Sequence, residues 1–150
     1  MGRAAARTPV RLLAYCLMPN HWHLVVWPDS DLAVSAYVHW LSGEHARHYN
    51  DEHELVGHVY QGRFRSVLVH DPRQFIALLR YVESNALRGG LVERAEDWRW
   101  SSLVPSRHIE LADPPCPRPP RWLDILAEFA TGESTARLVG PGPFRDAKEC

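Results

Sequence analysis

A chain of 150 residues, 45% hydrophobic and 10% aromatic, is one domain's worth of sequence with enough apolar material for a core, which excludes a disordered polypeptide. Its formal net charge of −1 gives no overall electrostatic footprint for nucleic acid, so any such surface must come from local clustering. The longest apolar run falls well short of the roughly 20 residues of a membrane helix, and Cys16, Cys116 and Cys150, odd in number and far apart, suggest reduced thiols in a cytoplasmic protein.

Residues 1–8 read as a loose basic arm carrying Arg3 and Arg7. A strand follows from about Val10 to Trp27, interrupted near Met18-Pro19, where proline lacks a ladder donor. Side chains alternate along a strand, so His21 and His23 point one way and Trp22 the other, the arrangement by which a strand offers two nitrogens to one metal ion. Two polar residues on a solvated strand face would look the same. By strict alternation Cys16 falls on the face opposite the histidines, unless the proline break resets the parity.

From Asp31 to Asn50 the apolar residues recur at helical spacing, opened by Ser30 or Asp31 as a cap, with His39, Glu44, His45, Arg47 and His48 on the polar side. Asp51 to Glu54 reads as an acidic loop. Gly57 to His70 predicts two short extended pieces with Phe64, Val67 and Val69 as strand formers; Arg63 and Arg65 then share one face, a candidate phosphate-contacting stripe. Asp71-Pro72 is a helix start, and the period of Phe75, Ile76, Leu78, Leu79, Val82 and Leu87 carries that helix to Arg88-Gly89-Gly90. Tyr81 and Asn85 lie one turn apart on the same face. Glu83 is about 200° round the helix from Tyr81. Asp97 to Ser102 is an aromatic patch closing on the body, Asp113 to Arg121 a semi-rigid proline-rich linker, Trp122 to Ala130 a short amphipathic helix, and Thr131 to Cys150 a polar tail.

Four stretches, Met18-Pro-Asn-His-Trp-His-Leu-Val25, Gln61-Gly-Arg-Phe-Arg-Ser66, Arg80-Tyr-Val-Glu-Ser-Asn-Ala-Leu-Arg-Gly-Gly-Leu-Val92 and Trp100-Ser-Ser102, resemble in order and spacing the IS200/IS605-type single-tyrosine (HUH) transposases, most closely the branch associated with repetitive extragenic palindromes (REP). The similarity runs from about Leu12 to Leu103. It implies an α+β fold, a ferredoxin-like antiparallel sheet with helices on one face, occupying residues 1–105, with residues 106–150 as linker, short helix and tail. Family members begin with a further strand and helix, so this chain is expected to lack its first strand and helix and, with a sheet edge exposed, to dimerise or aggregate.

The resemblance also implies a site. His21, His23 and Asn85 would hold a divalent metal and Tyr81 would be the nucleophile, while Arg63, Arg65 and Arg88 would contact DNA. Ala86 stands where the family usually has proline, a change that leaves the side chains of Tyr81 and Asn85 in place. Mg²⁺ or Mn²⁺ is expected rather than structural zinc, because the set has no thiolate close by and must stay open to a phosphate. The expected partners are single-stranded DNA hairpins at palindromic repeats, with a homodimer as one assembly and no membrane. Two rival readings are a DNA-hairpin-binding remnant without activity and a metal-dependent hydrolase using Glu83 with the histidines.

Overall fold

A β-hairpin organises the chain in the computed structural model, which describes residues 10–30 and 32–132. The basic arm, Asp31 as a cap, and the tail from residue 133 onward lie outside the described residues. Strand β1 runs Val10–Leu17 and β2 runs Trp22–Pro28. They pair antiparallel from Val10 opposite Pro28 to Leu17 opposite Trp22, with an irregularity between Leu12 and Ala14. The single interrupted strand read from the sequence is therefore two strands. Pro19 and Asn20 favour a turn, and the chain reverses there, closed by the Met18 amide donating to the His21 carbonyl at 2.8 Å.

Both faces of this hairpin are covered, instead of the one expected. Helix α1, Ala33–His53, packs Ala33, Tyr37 and Val38 against Trp22, Leu24 and Val26 on one face. Helix α2, Pro72–Glu83, packs Phe75, Leu79 and Val82 against Ala14, Cys16 and Val25 on the other. The cause lies in β2, whose run Leu24-Val25-Val26 is apolar at successive positions and so presents apolar groups to both sides. Antiparallel strands with helices on them make the molecule α+β, as the family resemblance implies.

Helix α1 absorbs Asp51, Glu52 and His53, which read as loop. Arg47 bonds Asp51 one turn on at 3.3 Å, and Glu54 ends the helix in the left-handed conformation at φ 54°. Helix α2 starts as its sequence predicts: Asp71 accepts from the amides of Arg73 and Gln74 at 2.8 and 2.9 Å, with Pro72 in the first turn. After a brief irregularity at Ser84, a short helix α3, Asn85–Arg88, continues the ladder through Arg88 N–H to the Ser84 carbonyl at 2.9 Å.

Gly57 to His70 forms no strand. Extended chain becomes a strand only beside a partner, and none of the described residues pairs with it. Arg63 and Arg65 are therefore exposed on irregular backbone, not aligned on a sheet face. The outer edge of β1 is met instead by the aromatic patch: Leu17 N–H donates to the Trp100 carbonyl and Ser102 N–H to the Tyr15 carbonyl, both at 2.9 Å, and Ala112 N–H reaches the Leu12 carbonyl at 2.8 Å. Helix α4, Trp122–Thr131, then sets Trp122 and Leu126 into the same core as α2.

Candidate active site

The tight turn of the hairpin delivers His21 at its end and His23 one step into β2. Their rings lie 4.9 Å apart, centroid to centroid, and perpendicular. Asn20 holds His21 through a 2.7 Å contact from its side-chain oxygen to Nδ1. Across the interface Tyr81 of α2 presents its ring edge-on to His23, with centroids 5.4 Å apart at 85°. The Arg88 guanidinium carbon lies 5.0 Å from the Tyr81 ring centre. Two imidazoles, a phenol and a guanidinium, carried by a strand turn and by α2 with its continuation α3, thus converge on one place.

Electrostatics there favour an uncharged imidazole. Burial, then the neighbouring His21, then the positive charge of Arg88, lower the His23 pKa from its ordinary value to about 4, so the ring is neutral at pH 7. Its Nε2 is buried and meets no hydrogen-bond partner. A buried polar atom without a partner is costly, and a lone pair so placed fits a metal or a ligand donor. Among the described residues no cluster of three or more His, Cys, Asp and Glu side chains gathers. The nitrogens this place could offer a cation are those of the two histidines.

Asn85 stands one turn beyond Tyr81, and its amide nitrogen donates to the Tyr81 carbonyl at 3.3 Å. Arg63 and Arg65 share none of the ring contacts that join the histidines to Tyr81. Cys16 stands directly opposite His23 in the register, and cross-strand neighbours share a face, so the hairpin turn does reset the parity. Burial pushes its thiol up to about 11, and it stays protonated at neutral pH.

Glu83 is taken up elsewhere, which removes it as the carboxylate of a hydrolase centre. Its side chain is wholly buried, and it accepts from Ser102 Oγ at 2.8 Å, from Arg118 Nε at 3.0 Å and Nη2, and from Trp122 Nε1 at 2.7 Å. Sequence reasoning missed this cluster; the signal was a glutamate inside the apolar helical stretch from Leu78 to Leu87. Phe129 of α4 was also missed. Its ring lies 4.2 Å from the Arg80 guanidinium carbon and 5.2 Å from that of Arg88, so α4 backs the arginine that overlies Tyr81.

A family model described as Transposase IS200 like matches residues 1–85. A Haemophilus influenzae protein bearing the name of a REP-associated tyrosine transposase is 26% identical over 105 residues, covering 63% of this chain. The chain spans 60% of that relative's length. No solved structure matches.

Proposed function

The chain belongs to the IS200-like transposase family, and from that premise we propose that it cleaves and rejoins single-stranded DNA at palindromic hairpins, with Tyr81 as the nucleophile. The observation that carries this reading is the edge-on approach of Tyr81 to His23, itself 4.9 Å from His21. These are the residue types that strand transfer needs, brought together from segments far apart in sequence.

In the proposed reaction the Tyr81 oxygen attacks phosphorus as its proton departs, and the bond from phosphorus to the 3′-oxygen breaks. That oxygen takes up a proton and leaves as a free 3′-hydroxyl, while the 5′ end stays on the enzyme as a phosphotyrosine. Attack by a 3′-hydroxyl reverses the step, and rejoining needs no nucleotide cofactor because the phosphodiester energy is kept in the tyrosyl link. His21, His23 and Asn85 would hold Mg²⁺ or Mn²⁺, whose part is to polarise the phosphate and neutralise charge on its non-bridging oxygens. The neutral, partnerless Nε2 of His23 is suited to that role. Arg88, over the Tyr81 ring, places a fixed positive charge where the attacked phosphate must come. Arg63 and Arg65 offer exposed guanidinium groups to the DNA backbone further out.

The test is incubation with a hairpin oligonucleotide and Mg²⁺ or Mn²⁺. A protease-sensitive covalent adduct should form with the natural chain and be absent for Tyr81→Phe, which loses only the hydroxyl and should still bind the hairpin. An adduct persisting in Tyr81→Phe would sink the assignment, and activity untouched by a chelator would remove the metal from it. Hairpin binding without any adduct from the natural chain would instead favour a DNA-binding remnant.

A further inference from the structure

We propose that Glu83, held by Ser102, Arg118 and Trp122, is the positioning residue that sets Tyr81 against His23; this rests on the reading of Tyr81 as the nucleophile. A carboxylate with no exposed surface is expensive to bury. Helix packing alone does not call for one, since an apolar residue would fill the space at lower cost. What the carboxylate adds is direction. Its two oxygens receive four donor contacts from three separate parts of the chain, and each contact has a preferred line of approach.

The place of these contacts decides their effect. Glu83 projects from the flank of α2 opposite Tyr81, so gripping it restrains rotation of the helix about its own axis. At roughly 6 Å from the axis, a rotation of about 10° carries a side chain through about 1 Å. A misplacement of that order costs on the order of 100-fold in rate when a nucleophile must meet a phosphate in line.

The far end of the grip is tied to the histidine hairpin. Ser102 donates its side-chain hydroxyl to Glu83 and its backbone N–H to Tyr15 of β1. Its neighbour Ser101 bridges Cys16, and Cys16 lies opposite His23. A closed path therefore runs from Tyr81 along α2 to Glu83, through Ser102 into β1, and across the ladder to His23. Arg118 and Trp122 hold the same carboxylate, bringing further residues beyond the matched stretch 1–85 into the geometry of the site.

The experiment uses the full chain, a hairpin oligonucleotide and Mn²⁺, at a temperature well below the unfolding of each variant. Glu83→Gln should bind the hairpin and Mn²⁺ within about threefold of the natural chain, while adduct formation at saturating DNA slows by roughly 10- to 100-fold. Arg118→Met should behave alike, and Arg118→Lys, which keeps the charge but not the two-point contact, should recover part of the rate. Should Glu83→Gln fail to fold, the two Arg118 variants carry the comparison. Adduct formation at the natural rate in the variants overturns the positioning role, and so does a loss of hairpin binding in step with the rate, which marks a merely structural residue. If the natural chain forms no adduct, the reading of Tyr81 falls and takes this proposal with it. If it does form one and the variants match it, only the positioning role falls.

Discussion

Replacing Arg118 by methionine removes the counter-charge of Glu83 and leaves much of the side-chain volume in place. The carboxylate loses the Arg118 Nε contact at 3.0 Å and its Nη2 partner, keeping Ser102 and Trp122 as donors. Breaking a buried pair from one side costs about 3–5 kcal/mol. Arg118 is 28% exposed whereas Glu83 has no exposure, so water reaches one partner only, and about 3 kcal/mol is the expected loss. For a chain of this size that lowers the melting temperature by about 10 °C. Adding Glu83→Gln should restore about 2 kcal/mol, because the amide carries no charge and its oxygen still accepts from Ser102 or Trp122. Urea denaturation of the natural chain, both single variants and the double variant gives the coupling energy directly. A cost for Arg118→Met below about 1 kcal/mol, or a double variant whose loss equals the sum of the singles, would refute the reasoning.

Asp71→Ala removes the cap that accepts from the Arg73 and Gln74 amides and should cost about 1 kcal/mol in the same denaturation assay, with no change in slope. Cys16, whose thiol burial pushes up to about 11, should resist iodoacetamide at about pH 8 in the native chain while half-buried Cys116 is labelled; equal labelling of the two in a peptide map would contradict the packing around Cys16.

The candidate site was named through the family resemblance, which rests on short motifs. The two-residue spacing of His21 and His23 and the four-residue spacing of Tyr81 and Asn85 survive any arrangement of the surrounding chain, and the Asp71-Pro72 start of α2 is a purely local signal. What escaped depends on partners far along the chain. The hairpin was hidden because residues on both sides of Pro19 are equally apolar, so the sequence marks a break without saying that the chain turns back. Coverage of both faces followed from a β2 apolar at successive positions, where period-two reading has no contrast to use. Gly57 to His70 has strand-forming residues but no strand partner among the described residues, and propensity does not say whether a partner exists. Glu83 could be excluded from the Tyr81 face by angle alone, yet its donors lie 19, 35 and 39 residues away. The composition of Asp113 to Arg121 speaks of stiffness and gives no sign that Arg118 reaches a buried carboxylate.

The contacts along the outer edge of β1 have a consequence for the order in which the protein is made. Trp98 meets the Leu17 carbonyl across 81 residues of chain, and closing so long a loop costs about 4 kcal/mol in chain entropy. An isolated hairpin is at best marginally stable. As the polypeptide leaves the ribosome, both histidines and the whole of α2 emerge before any residue that closes this edge or reaches Glu83. Edge closure by Trp100 and Ser102 and the grip on Glu83 therefore come late and together, since Ser102 takes part in both. A nascent chain ending near Gly90 carries the proposed nucleophile and histidine ligands without the geometry between them, so the proposed competence to cut DNA would wait until Ser102, Arg118 and Trp122 have emerged.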